Sequence, residues 1–208
     1  MDRPAYSVGG GKLALLDVNT GELEILVDDP EGGVRDPVVS CDAKKIMYSH
    51  RKDGECYKIF EIDLPSRKIR QMPFWEEGYD DIEPAYLPGG DIVFVSSRCR
   101  RMVPCWGVDV AILHRYYAGE NIVRPISANV DQDNSPWPLA DGKIIYMKWE
   151  YVQKNQMNFH SLWKKDPNGA NDMVFFGNDI PNHLYIDAKQ IPGSQNSYTL
   201  TFSDWHGN

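Results

Sequence analysis

Short runs of alternating apolar and polar residues follow one another along this chain. KLALLD, YKIFEID, VAILHR and HSLWKKD each lead into a turn: VNTGE, LPSRK, YAGEN or PNGAN. Each turn is followed by another short run: LEILV, IRQMPF, IVRPIS or MVFFG. A two-residue period predicts half-buried strands, and Gly, Asn and Pro between the runs supply the backbone angles that hairpin turns need. No run keeps a helical period over about 12 residues, so no long helix is predicted.

The runs repeat as a set. RDPVVSCDAKKIMYSH from Arg35, IEPAYLPGGDIVFVSS from Ile82 and NSPWPLADGKIIYMKW from Asn134 share one order. Each reads polar residue, proline, short apolar run, Asp/Gly turn and alternating strand. Pro37, Pro84 and Pro136 stand 47 and 52 residues apart. IDAKQIPGSQNSYTLTFS from Ile186 is a degenerate fourth copy without the proline. Four short strands recurring every ~40–50 residues predict the blade of a β-propeller.

The expected fold is therefore all-β, a single propeller domain of four-stranded antiparallel blades, with about four blades present. A half blade is expected over Lys12–Val27, full blades over about 36–77, 83–127 and 135–177, and a second half blade over about 183–203. The two halves could pair to close a four-bladed ring. The ending TFSDWHGN, on a strand exit, favours a piece of a larger propeller.

Composition narrows the function classes. The 208 residues are 42% hydrophobic and 25% charged, ordinary for a globular protein with a sizeable core. A net charge of −8 repels phosphate backbones, so no nucleic acid partner is expected. No apolar run is long enough to span a membrane as a helix. MDRPAYSVGG has no apolar core segment and does not read as a signal peptide.

In a propeller the first strand of each blade lines the central channel. The loops from strand four to the next strand one, and from strand two to strand three, share a face, where ligands usually bind. Here the four-to-one loops are GGVRD, GYDDIE, VDQDN and IPNH, and SSRCRRMVPCWG and KWEYVQKNQMNF are the long two-to-three loops. This face gathers the candidate ligand-binding residues Arg35, Asp80, Asp81, Arg100, Arg101, Trp106, Asp131, Asp133, Trp149 and Tyr151. Converging carboxylates suit a divalent cation or a cationic ligand. A competing explanation is blade architecture, in which Asp36, Glu83 and Asn134 recur at one blade position and bond loop amides. Asp80, Asp81 and Asp131, which do not recur, are then the better ligand candidates. The tryptophans and Tyr151 could stack on a sugar, although aromatics also fill blades.

Cys99 and Cys105 share one loop with Arg98, Arg100 and Arg101, which favour thiolate. A Cys99–Cys105 disulfide bracing the loop is the first expectation. Metal ligation by Cys99, Cys105 and His206, with zinc or calcium as the divalent metal, is the second, and two free structural thiols the third. Cys41 and Cys56 lie too far apart along their strands to bridge. His114 and His160, in strand-three runs, are expected to be packing residues. No Ser/His/Asp order, phosphate loop or H-E-x-x-H helix occurs.

DPEGGVRDP, YDDIEPAYLPGGDIVFVSSRC, QDNSPWPLADGKIIYMKWEYV, HSLWKKDPNGAN and IDAKQIPGS together resemble the middle, propeller domain of the hydrazine synthase alpha subunit family. The blades also resemble TolB-like repeats. The resemblance implies an extracytoplasmic location, periplasmic or secreted, and further domains of the same parent chain as partners. It departs at one point: covalent haem needs C-x-x-C-H, and Cys99 and Cys105 are six apart with no His after the second. No cofactor is therefore expected in this chain. The leading expectation is a noncatalytic module binding a protein partner or small ligand. The alternatives are one domain of an extracytoplasmic enzyme whose haem or metal segments lie outside this chain, and a sugar-binding propeller.

Overall fold

A computed structural model describes residues 9–103, 107–150, 159–178, 183–194 and 198–204. The described residues are built from strands, with one 3-10 turn at Pro88–Gly90. The chain divides into two compact units, Met1–Pro84 and Ala85–Asn208.

In the first unit, β1 (Gly11–Leu16) and β2 (Leu23–Asp29) form a two-stranded hairpin. β3 (Gly33–Val39), β4 (Lys45–Arg51), β5 (Lys58–Asp63) and β6 (Ile69–Gln71) form an antiparallel four-stranded sheet in sequence order. Leu13 packs with Ile46, Tyr48 and Ile62, so the hairpin buries its apolar side on the sheet. The unit boundary falls within β7 (Asp81–Tyr86), which opens a second four-stranded sheet. That sheet continues through β8 (Ile92–Ser96), β9 (Ile112–Tyr117) and β10 (Ile122–Pro125). The third comprises β11 (Asp133–Pro138), β12 (Ile144–Trp149), β13 (Phe159–Lys165) and β14 (Met173–Phe176). It is extended by the hairpin of β15 (His183–Gln190) and β16 (Tyr198–Asp204).

These are the four-stranded antiparallel blades that the repeats predict. β3 begins at Gly33, ahead of the expected start, so Arg35 lies within a strand and not in a loop.

The strand-one position before each proline also differs from expectation. Asp36, Glu83 and Ser135, and Asp187 at the matching place in the proline-free fourth copy, all have positive φ, between 52° and 56°. In β3, β11 and β15 the register slips at this residue. The repeating position is thus a β-bulge with a left-handed residue, and Ser135, not Asn134, is its third member. Asp36 accepts a hydrogen bond from the Glu83 backbone N–H at 3.2 Å, so the recurring carboxylate bonds a backbone amide as blade architecture requires.

A second device ties each strand one to the preceding blade's strand three. Asp81 N–H donates to Tyr57 O, and Asp133 N–H donates to Ala111 O, both at 3.0 Å. The residue before each completes the latch from its side chain. Asp80 Oδ1 accepts from Tyr57 N–H at 2.7 Å, and Gln132 Oε1 accepts from Ala111 N–H at 2.8 Å. In the last copy the same junction widens into a short parallel pairing of Phe159–His160 with His183–Leu184. That pairing joins the final hairpin to the third sheet.

Gln132→Ala should lower the urea midpoint, because it strands the N–H of Ala111, a residue only 8% exposed. The expected loss is about 1–3 kcal/mol. Gln132→Glu keeps the acceptor, as Asp80 supplies it, and gives up only the Nε2–H bond that Gln132 donates to Asp109 O at 2.8 Å. It should lose less, and equal midpoints for Gln132→Ala and wild type would show that the latch adds no net stability.

Candidate functional site

The expected candidates divide between the two units. In the first unit, the Arg35 guanidinium is paired with Asp36 at 2.8 Å and Glu83 at 3.2 Å, over the Tyr57 ring. Burial alone would lower its pKa, but Asp36 and Glu83 outweigh that and raise it. Asp80 is the latch acceptor described above, and Asp81 is buried at the start of β7. The Asp80 carboxylate and the Asp81 backbone N–H serve the blade junction.

In the second unit, the loop after β8 folds into a small hairpin. Val103 N–H donates to Val108 O, Val110 N–H donates to Arg101 O, and Met102 bridges Asp109. Val103, Val110 and Ile112 form a buried cluster against Cys99 and Trp149. This ladder and cluster offset the ordering entropy of the loop. Cys99 Sγ lies 3.0 Å from Val110 O. Cys105, Trp106, Tyr151 and His206 lie outside the described residues, so the expected bridge and the expected metal set are not placed by the structure. Among the described residues, no group of three or more His, Cys, Asp or Glu side chains is arranged to hold a metal ion. Arg100 is exposed, whereas Arg101 donates to Asn129 O at 2.5 Å and ties the hairpin to the next loop. Trp149 stacks on His160 at 5.3 Å, which covers one indole face.

Asp131 and Asp133 come together at a cavity of about 300 Å³ formed by residues 127–131 and one face of the third sheet. Two-residue alternation puts Tyr146 and Lys148 on the same face of β12. Asp133 lies opposite Lys148 across β11–β12, and Lys165 opposite Ile144 across β12–β13. Asp172 is the hub of this face. Its Oδ1 accepts from the Tyr146 hydroxyl at 2.5 Å and lies 3.5 Å from Lys165 Nζ, while Oδ2 lies 3.3 Å from Lys148 Nζ. Lys165 is 2% exposed and also donates to Ile126 O at 3.1 Å. Its burial lowers its pKa, against the pull of Asp172 and Asp133.

Asp133 is fully buried. Its Oδ1 accepts from Asn129 Nδ2 at 3.0 Å, while Oδ2 has no hydrogen-bond partner among the described residues. Burial pushes its pKa up to about 6, against the opposing effects of Ser127, Lys165, Lys148 and Asn129. Sequence reading missed Tyr146, Lys148, Lys165 and Asp172. The signal was present as polar residues at alternate positions in KIIYMKW and at the end of HSLWKKD, but it needs the strand register to be read.

No known family profile matches this chain. Over 71 residues it is 35% identical to the alpha subunit of hydrazine synthase from Kuenenia stuttgartiensis, covering 33% of this chain and 8% of that protein. The solved hydrazine synthase from the same organism superposes with a TM-score of 0.74 and 17% identity, covering 88% of this chain and 31% of that one. TolB from Acinetobacter baumannii gives 0.59 and 18% identity over 92% of this chain and 45% of its own. A protein from Agrobacterium tumefaciens assigned as TolB gives 0.61 and 19% identity over 78% and 55%. The resemblance to the hydrazine synthase alpha subunit is thus present in both sequence and fold, and the blades are shared with TolB propellers. The chain spans less than a third of the hydrazine synthase chain it matches, and about half of each TolB propeller.

Proposed function

We propose that this chain is a noncatalytic β-propeller module that holds a ligand or protein partner at its loop face, outside the cytoplasm. The observation that supports this best is the contrast between repeated and unrepeated polar residues. Asp36, Glu83, Asp80 and Gln132 are consumed by bulges and blade latches. Among the described residues the Arg100–Arg101 hairpin occurs in one blade only, and the Asp133 cavity, placed where the first four-stranded sheet has one lined by Tyr48 and His50, differs from it in its acidic lining. Architecture explains what blades share, and loops that break the pattern are where binding evolves. The TolB neighbours support the extracytoplasmic location.

A second reading has one specific observation behind it: the 71-residue match to the hydrazine synthase alpha subunit. On that reading the chain is the propeller part of an enzyme whose haem or metal segments lie elsewhere in its parent chain.

Co-purification from the extracytoplasmic fraction tests the first reading. A partner retained by wild type should be lost with Arg100→Glu/Arg101→Glu. It should be kept with Asp141→Ala, in the turn between β11 and β12. Equal retention by all three, or absence of the chain from that fraction, would overturn it. A C-x-x-C-H in the parent reading frame, with covalent haem in the purified parent, would establish the second.

A further inference from the structure

We propose that the cavity on the third blade binds a primary ammonium group, received by the carboxylate of Asp133. This rests on the reading of the loop face as a binding face and names the chemistry one part of it would take.

The charge of the lining sets the sign of the ligand. Asp131, Asp133, Glu150 and Asp172 face the cavity with Lys148 as the cation among them. Asp172 is already engaged through both oxygens by Tyr146, Lys148 and Lys165. Asp133 differs: its Oδ2 is buried with no hydrogen-bond donor among the described residues. A buried acceptor with no donor is costly, and an ionised one more so. A positively charged donor that enters the cavity removes that cost and gains a charge-assisted bond.

The geometry then separates the cations. A calcium-type ion needs six or more oxygen ligands, and no metal-holding cluster of acids occurs among the described residues. A guanidinium prefers both oxygens of one carboxylate, and Asp133 Oδ1 is already held by Asn129. An ammonium donates along single directions and needs only the open oxygen. A volume of about 300 Å³ suits a short alkylamine or the end of a lysine side chain.

Calorimetric titration of the intact chain at neutral pH tests this with 1,4-diaminobutane, n-butylamine, Nα-acetyl-lysine amide and 1-butanol. The amines should bind saturably in the millimolar range or tighter, and the neutral alcohol should not. Asp133→Asn should weaken amine binding by about tenfold or more. If that variant fails to fold, Glu150→Gln, at the half-buried residue just after β12, should still weaken it severalfold. Binding should also fade as pH drops through about 6, where Asp133 gains a proton among Ser127, Asn129, Tyr146, Lys148, Lys165 and Asp172. Binding by the acetylated lysine points to a partner's lysine as the source, and binding by diaminobutane alone points to a free amine. Equal binding of butanol and butylamine, equal affinity of Asp133→Asn and wild type, or no saturable binding of any amine would overturn the proposal. In the last case an intact partner co-purification would leave the binding-module reading standing.

Discussion

Lowering the pH from 6.5 to 4 should cost the chain on the order of 3 kcal/mol of folding stability. The main cause is two buried histidines. His114 and His160 are 4% and 6% exposed, and burial depresses both to a pKa of about 4. In the unfolded chain each would titrate near 6.5. A depressed pKa gives stability that is full above the unfolded value and lost as pH falls through the folded one. Each shift corresponds to roughly 3 kcal/mol, at about 1.4 kcal/mol per unit. Asp133 works in the opposite direction. Its folded pKa of about 6 lies above the usual 3.8, so its charge costs stability above 6, and protonation between 6 and 3.8 returns roughly 3 kcal/mol. Two histidines against one aspartate leave the net loss. Urea midpoints across this range measure it. His160→Phe keeps a ring to stack on Trp149 and should remove about half of the histidine contribution. A flat profile, or one that rises toward pH 4, would show that these imidazoles are not held neutral.

Asp172→Ala should be more damaging than Lys165→Met, although the two side chains form one ion pair. Removing Asp172 leaves the Lys165 ammonium 2% exposed, with the Ile126 carbonyl as its remaining hydrogen-bond acceptor, and removes the acceptor of the Tyr146 hydroxyl. Breaking a buried pair from one side typically costs ~3–5 kcal/mol. Here Asp172 is a third exposed, so water screens the loss and about 2–3 kcal/mol is expected. Lys165→Met removes the buried charge itself and keeps the volume. Asp172 can then turn to Lys148 and solvent, and the expected cost is below about 1.5 kcal/mol. Chemical denaturation of both variants gives the comparison, and the reverse order would show that Lys165, not Asp172, organises this face.

Much of the fold was legible in the sequence because its causes are local. Alternation in KLALLD or YKIFEID decides a strand within six or seven residues, and the turn glycines and asparagines decide the hairpins. The Pro37–Pro84–Pro136 spacing carried the blade repeat. His114 and His160 read correctly as buried packing residues for the same reason, since their places in strand three follow from the alternation.

The acids could not be sorted that way. Asp80 and Asp131 look alike as extra carboxylates before a strand, yet Asp80 accepts from Tyr57, 23 residues earlier, while Asp131 lies at the cavity. Gln132 does the work of Asp80 in the next blade with a different residue type, so matching residue types hid the equivalence. The sequence by itself determined the strands, the turns and the repeat, because backbone preference and side-chain alternation act between near neighbours. Only the tertiary structure decided which acids serve the latches and which line the cavity beside the third sheet. That outcome depends on strand register, on which loops cover the third sheet and on how far water is excluded from Asp133, all of which arise between residues distant in the chain.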